Sequence, residues 1–511
     1  MINPWLIAAS VMLATFMEVL DTSVASVALP YIAGSLSASN DESTWVLTSY
    51  LVSNAIMLPA TGWLGSRFGR KRLLITCIAI FTVSSFACGA ALDLPMLILG
   101  RILQGAGGGA LQPIAQAILI ESFPPARRGV AMAVYGLGVV VAPILGPTLG
   151  GWITDNYSWR WVFYINIPVG ILATLMIHSF VEDPPYIRQA HPGRLDGIGL
   201  GFLAIWIGTL QIILDKGQED DWFSALWIRW FALACAAAFI AFVVRELRAE
   251  APLVNLRIFV NRNFAVGTLL IGVVGVTLYG IVTLQPQFLQ TLMGYSALQA
   301  GIAVSARGIG AVAAMAMVGR LTQLVDNRAL IGAGFLVLAI AAFMFGNIDL
   351  SIARRSLDWP NVLSGLGIGF IFVPISVVAL GMLTREQVGN ASGIFNLARN
   401  LGGSIGIAAA TTMVTRGAQA HQALMVGRLA LDQPAYRELL AAQQARLSPS
   451  VGTVTAAQQA VARAYNLLIQ QATLFAYVDT FRRLGFLCLI SLLLVLLLKR
   501  VTLPRGPVAL E

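Results

Sequence analysis

The sequence predicts an all-α polytopic membrane protein, and three observations carry that prediction. Hydrophobic residues fill 57% of the 511 positions and charged residues only 11%, against roughly 25% charged in a soluble domain. The apolar residues gather into repeated runs of about 20, the length a helix needs to cross the hydrocarbon core of a bilayer. Most basic residues lie between those runs and collect in alternate connections, as the positive-inside rule requires. A soluble fold of this length has no interior able to hold so much apolar surface. Barrel strands are excluded because the runs are too long and do not alternate.

Fourteen runs qualify as spans, near 5–29, 44–64, 73–92, 96–119, 130–153, 162–181, 197–214, 225–244, 264–286, 298–318, 329–348, 359–381, 391–414 and 480–498. One set of alternate connections holds Arg67, Arg70, Lys71, Arg72, Arg127, Arg128, Arg188, Arg194, Arg245, Arg248, Arg257, Arg262, Arg320, Arg328, Arg385, Lys499, Arg500 and Arg505, eighteen cations. The short connections of the other set hold five: Arg160, Lys216, Arg229, Arg354 and Arg355. This asymmetry places both termini in the cytoplasm. An even number of spans agrees. The first run lacks a basic leader and a small-x-small cleavage site, so it reads as a retained helix rather than a signal peptide.

The net charge of +9 belongs to basic loops facing an anionic leaflet, not to a nucleic-acid surface. Cys77, Cys88, Cys235 and Cys488 all fall in apolar runs without CxxC spacing and read as packed thiols, neither disulfides nor metal ligands. No lysine follows a glycine as a phosphate-binding loop demands, which removes ATP-driven transport by this chain alone. Gly402-Gly403-Ser404-Ile405-Gly406 fits G-x-S-x-G, but it lacks the strand-turn-helix setting of a hydrolase and suits helix packing instead. The glycine run at 105–109 follows no strand and is a poor dinucleotide fingerprint. The chain reads as a transporter rather than an enzyme, with no cofactor and no metal.

The longest outer connection, about 415–480, is rich in Ala and Gln. Its Leu/Val/Tyr spacing predicts one or two amphipathic helices continuous with the last span. It reads either as a cap over the outer mouth or as a docking surface for a periplasmic partner.

Polar residues inside the runs are the candidate functional groups, because an ionisable side chain at the bilayer centre costs about 2.5–3.5 kcal/mol or more. Glu18 and Asp21 sit in the first run at i, i+3, on one helix face that is expected to look into a substrate cavity. Arg101 and Gln104 share a face of the fourth run. Arg101 either snorkels to the outer interface or pairs with the carboxylates of the first run, and the presence of those carboxylates favours pairing. Arg307 stands alone in its run, and Arg399 reads as structural packing nearer the cytoplasmic boundary. Gln285, Gln287 and Gln290, with Asn54 and Asn396, are candidates for cavity lining or for the interface.

The motifs point to a family. GWLGSRFGRKR, Gly62 to Arg72, resembles the loop signature G-x-L-a-D-r-x-G-r-k of the major facilitator superfamily, matching at Gly62, Leu64, Arg67, Gly69, Arg70 and Lys71. Ser66 replaces the usual Asp, a member of the charge contacts that hold the cytoplasmic gate, so the latch here is weaker or uses another partner. GRLTQLVDNR, Gly319 to Arg328, looks like a degraded second copy, as an internal repeat leaves. LGRILQGAGGG, from Leu99, resembles the R-x-x-q-G signature, in which the Arg is implicated in proton coupling. APILGPTLGG, Ala142 to Gly151, is similar to the antiporter motif of drug exporters, with Gly146, Pro147 and Gly150 in place. These residues bend a helix and let a neighbour approach. Leu20-Asp21-Thr22 through Ala28-Leu29-Pro30 matches the first-span signature LDxTxxxxALP of drug:proton antiporters, and WRWVFYINIPVG resembles the turn into span six of that branch.

With fourteen spans, the chain resembles the fourteen-helix drug:proton antiporters of the EmrB/QacA type, on the EmrB side. The resemblance implies a six-helix bundle over 1–181, a linker with two extra transmembrane helices over 182–262, and a second six-helix bundle over 263–511 that includes the long periplasmic loop. It implies proton-coupled export of toxic hydrophobic or amphiphilic compounds across the bacterial inner membrane. Asp21 is the expected coupling residue, Arg101 its modulator, and Glu18 a second proton or cation site. The expected cavity residues are Gln104, Asn54, Gln285, Gln287, Arg307 and Asn396, with Gly62, Gly69, Arg70, Gly146, Pro147, Gly150 and Arg399 in structural or gating roles. Expected partners are an EmrA-type periplasmic adaptor and an outer-membrane channel. Uptake of a nutrient and a non-transporting sensor are the rival readings; the antiporter motif speaks against the first, and the lack of a signalling domain against the second.

Overall fold

The computed structural model describes residues 3–500 apart from 125–126, 185–186, 188–195, 250–251, 382 and 430–431. Arg188, Arg194 and Arg505 of the basic connections lie outside the described residues. Every long element among the described residues is helical: α1 (Pro4–Ser35), α2 (Trp45–Phe68), α3 (Arg70–Gly89), α4 (Leu94–Gly108), α5 (Leu111–Ser122), α6 (Arg128–Asn156), α7 (Asn166–Phe180), α8 (Gly197–Lys216), α9 (Leu226–Arg248), α10 (Arg262–Thr291), α11 (Ala297–Leu324), α12 (Asn327–Phe345), α13 (Asp358–Leu380), α14 (Arg385–Val426), α15 (Pro434–Val451) and α16 (Thr453–Val495). Ten helices among the described residues are long and apolar enough to cross a membrane, and α6, bent by 41° beside Pro143, makes eleven. All fourteen apolar runs lie on helices. The three that fall short on apolarity are α2, with Asn54, α14, with Arg399 and Asn400, and α16, with Asp479, Arg482 and Arg483.

Local chemistry explains the breaks. The run at 96–119 is two helices, α4 and α5, interrupted at Gly109 and Ala110. There, Gly105 and Gly109 lie against the α2 backbone at Tyr50 and Asn54, where a Cβ would collide. In α6, Pro147 has no N–H to offer the carbonyl of Pro143. That carbonyl accepts the Ser23 hydroxyl of α1 at 3.0 Å instead, and Gly146 and Gly150 admit α1 at Ser23 and Val24. The antiporter-like motif is therefore the seat of α1. Gly402 and Gly406 play the same part between α14 and α10, touching Gly272 and Val276, which accounts for the G-x-S-x-G spacing.

Two sets of helices pack alike. α1 packs on α6 and α7, and α4 on α2 and α3; in the second set α10 packs on α14, α13 on α11 and α12, and α16 on α12 and α14. The sets meet where α6 lies on α11 and where α14 lies on α2 and α5. α8 and α9 pair at the periphery, with α8 seated on α2. α9 turns Leu226, Trp230, Leu233, Ile240 and Leu247 outward, the surface expected of a helix facing lipid.

The connections sort onto two faces. On the face that carries residue 4, Lys71 reaches Asp183 and the His178 carbonyl, Arg128 reaches the Gly381 carbonyl, and Asn263 exchanges hydrogen bonds with Lys499. On the opposite face, Arg416 pairs with Asp221 at 3.1 Å and Arg160 donates to the carbonyls of Gly89 and Ala91. The long connection is more helical than its apolarity suggests. α14 continues to Val426, α15 crosses over, and α16 returns from Thr453 straight into the last span. Ala and Gln are strong helix formers, so helix outruns the apolar stretch that marks the bilayer.

Candidate functional site

Glu18 and Asp21 are both buried, yet they occupy different environments. Residues three apart on a helix differ by about 60° around its axis, and here that angle spans the boundary between two sites. Asp21 points into the first helix set. Its Oδ2 accepts Arg101 Nη1 at 2.6 Å, with both side chains 0% exposed, and its Oδ1 accepts Gln104 Nε2 at 2.9 Å and Asn166 Nδ2 at 2.6 Å. Arg101 also donates to the Val46 carbonyl at 3.0 Å and to Gln104 Oε1 at 2.6 Å, and its guanidinium lies 4.2 Å from the Tyr50 ring centroid. Ser85 ties the cluster together, accepting from Gln104 and Asn166 and donating to the Phe163 carbonyl. Arg101 does not snorkel; it is held inside.

Glu18 lines a cavity of about 90 Å³ between the two helix sets, with Thr22, Tyr50, Asn54, Tyr279, Asn400 and Ser404 among its walls. Glu18 accepts from Asn54 Nδ2 at 3.0 Å, from the Tyr50 hydroxyl at 3.2 Å and from Gln112 Nε2 at 2.5 Å. Arg399 of the second set donates to Gln112 Oε1. Glu18, Gln112 and Arg399 thus form one chain of hydrogen bonds across the seam. Asn396 Nδ2 reinforces it by donating to Gln116 Oε1 at 2.8 Å. Arg399, read from sequence as a packing residue near one boundary, is buried at the centre of the seam.

Arg307 donates from Nη2 to Gln285 Oε1 at 2.6 Å and to Asn361 Oδ1 at 3.3 Å. Its Nε and Nη1 are buried without a hydrogen-bond acceptor. The two arginines border one small apolar pocket of about 20 Å³, walled by Val140, Pro143, Val274, Leu278 and Phe372. Gln287 and Gln290 are exposed on the outside of α10, away from these groups.

At the face carrying residue 4, Gly62 lies against Asn390 of the second set, where a Cβ would come 2.8 Å from Asn390 Cα. Gly69 has φ +84°, a conformation natural to glycine, and Asp183 fills the space a Cβ would need. Arg70 pairs with Glu121 at 2.5 Å. Ser66 only donates to the Trp63 carbonyl, so the Arg70 charge is met from α5 rather than from the position where the family has Asp. In the degraded second copy, burial pushes the Asp326 carboxyl up. Hydrogen bonds from Arg328 and Arg500 outweigh it and hold Asp326 at about 2.

Sequence reading missed Asn166, Gln112, Gln116 and Asn361. The signal was present: Asn166 stands inside WRWVFYINIPVG, and Gln112 and Gln116 are polar at i, i+4 in an apolar run.

Residues 11–407 match the profile of the Major Facilitator Superfamily. The chain belongs to that superfamily. It is 39% identical over 412 residues, 80% of each chain, to the multidrug export protein EmrB of Escherichia coli strain K12. It is 37% identical over 409 residues, again 80% of each chain, to the fatty acid resistance protein FarB of Neisseria gonorrhoeae. Among solved structures, the proton:xylose symporter XylE aligns over 96% of this chain and 94% of its own with a TM-score of 0.61 at 14% identity. The human organic anion transporter MFSD10 aligns over 96% of this chain and 100% of its own with a TM-score of 0.59 at 15% identity. These structures share the fold alone. Within the superfamily the chain is EmrB-like.

Proposed function

We propose that this protein is the permease of a multidrug efflux system, exporting hydrophobic and amphiphilic toxic compounds across the bacterial inner membrane in exchange for protons. The observation that carries the reading is the cavity between the two helix sets, whose carboxylate, Glu18, is tied through Gln112 to Arg399 on the other side. A carboxylate at the seam of two rocking halves holds either a proton or an interaction with substrate, and rocking alternates its exposure. Asp21 is the coupling residue and Arg101 its modulator. Protonating Asp21 removes the counter-charge of a sealed guanidinium, which forces the first half to rearrange. The halves are 1–181 and 263–511, with 182–262 between them as linker and extra helices. The cation-rich connections lie on the cytoplasmic side, together with both termini.

The test is an everted-vesicle assay. Adding a substrate identified from a susceptibility panel of cationic, neutral and anionic toxicants is expected to trigger proton release that an uncoupler abolishes. Export unchanged by collapse of the proton gradient would refute the proposal.

The two acceptor-less nitrogens of Arg307 favour a narrower substrate class, anionic amphiphiles such as fatty or bile acids, in line with the name of the gonococcal relative. The helical extension at 415–480 is the proposed dock for an EmrA-type adaptor that leads to an outer-membrane channel. It exposes Leu424, Val426, Val454, Val461 and Tyr465. Deleting residues 418–472, most of the extension, is expected to leave insertion intact and to abolish adaptor co-purification; an unchanged pull-down would sink the docking role.

A further inference from the structure

We infer that the first inserted helix, α8, carries a proton relay in which Asp215 is the outer station and Gln211 links it to Glu18. The inference rests on the antiport reading above and adds a path to it. The Glu18 cavity does not end at the seam. A second cavity of about 50 Å³ adjoins it and is lined by Thr48, Leu51, Gln211, Leu214, Asp215, Ser404 and Ile407. Four of those residues, Leu51, Gln211, Ser404 and Ile407, also line the Glu18 cavity. Gln211 is 6% exposed, and its Oε1 has no hydrogen-bond partner. A buried amide oxygen without a donor is a strong demand for water or a proton carrier. Each cavity exceeds the roughly 10–15 Å³ that a water needs, and each offers polar partners.

α8 is placed for this role because it wedges between α2 and α14. Thr48 of α2 donates to Asp215, Trp222 just beyond α8 donates to Thr412 of α14 at 3.2 Å, and Gly208 faces Val52. Outward of Asp215, Lys216 donates to Thr44 Oγ1 and to Glu219 Oε2, each at 2.7 Å. A wider opening of about 510 Å³ lies beside it on the neighbouring face of α8, bordered by Glu42, Lys216, Glu219 and Asp220. The charged groups near Asp215 are thus Lys216 and Glu219; α2 presents Thr48, and α14 presents Ser404 and Ile407, none of which titrates. Acidic groups at a mouth raise the local concentration of cations, protons included.

The step balances simply. Asp215 takes a proton from the outer solution and gives it to water held by Gln211 and Ser404. That water delivers a proton to the Glu18 carboxylate, and Asp215 returns to its ionised form. Only O–H bonds form and break. The inserted pair, peripheral to both halves by packing, then supplies part of the transport path.

The experiment reads protonation of Glu18 directly, without a substrate. Full-length protein in phosphatidylethanolamine/phosphatidylglycerol liposomes is jumped from alkaline to mildly acidic outer pH in the presence of dicyclohexylcarbodiimide, which modifies protonated carboxyls. Adduct on Glu18 is then followed by mass spectrometry. Asp215→Asn and Gln211→Leu are expected to slow Glu18 modification by about 100-fold, the scale of a positioned proton-transfer group. The final extent is expected to be unchanged, and Asp215→Glu to restore the rate. Wild-type rates in both variants would overturn the relay. So would a loss of final extent that parallels the loss of rate, since that marks a collapsed Glu18 site and a structural role for α8. Failure of the antiport reading shows separately, as export that is unchanged by collapse of the proton gradient.

Discussion

Replacing Asp21 with Asn removes one negative charge from a site closed to bulk solvent. Asp21 and Arg101 are both 0% exposed and 2.6 Å apart, and removing one partner of such a buried pair costs about 3–5 kcal/mol. Arg101 keeps the Val46 carbonyl, Gln104 Oε1 and the Tyr50 face, so the lower end, about 3 kcal/mol, is expected. A shift of that size changes a two-state conformational ratio by roughly 100-fold. The variant is therefore expected to leave the conformation described here and to uncouple transport. In everted vesicles, Asp21→Asn should give no substrate-induced proton release. Adding Arg101→Gln should recover most of the lost thermal stability without recovering release, because the orphaned charge is gone but the proton site is not restored. Proton release by Asp21→Asn equal to wild type would refute the assignment. Full additivity of the two substitutions in thermal unfolding would refute the pairing energy.

Three further outcomes follow from the geometry. Gln112→Leu removes the bridge between Glu18 and Arg399, leaving Glu18 with Asn54 and Tyr50 and Arg399 with Asn400 Oδ1 at 3.2 Å. It is expected to cost about 2–4 kcal/mol in thermal unfolding and to make the seam accessible to maleimide at a cysteine placed at Asn400; unchanged labelling speaks against the bridge. Gly62→Val places methyl groups on the Asn390 backbone. At about 1–3 kcal/mol of overpacking, it should hold the cytoplasmic face open, read as faster labelling of a cysteine at Ser66 in a cysteine-free background. Asp326 is held at about 2, below its ordinary 3.8. Its clasp with Arg328 and Arg500 therefore contributes stability that is fully present above about pH 4 and lost as pH falls toward 2. With Arg500 75% exposed, the contribution is discounted to about 1 kcal/mol. Asp326→Asn should lower the unfolding temperature at pH 7 and converge with wild type near pH 2.

Much of the fold was legible because a bilayer imposes length and polarity on every span. All fourteen apolar runs lie on helices, although only ten or eleven of those helices meet the test of length and apolarity. Helix ends were less legible. α14 and α16 extend far beyond their apolar runs, since helix propensity in Ala/Gln-rich flanks leaves no hydropathy signal. The antiporter-like motif marked a close helix contact at Gly146 and Gly150. Their partners, Ser23 and Val24, could not be read from the chain.

The sequence by itself showed Glu18, Asp21, Arg101, Arg307 and Arg399 as charges inside apolar runs, where desolvation is costly, and it read Arg399 as packing. Tertiary structure alone decided what each charge faces. Glu18 and Asp21 lie one helix turn apart, and only the packing of α1 between the halves sends one into the seam and the other into a sealed cluster. Arg399 reaches Gln112 across 287 positions of sequence, and Asp215 reaches Thr48 across 167. Local pattern carries no trace of such contacts, since they depend on how whole helices cross.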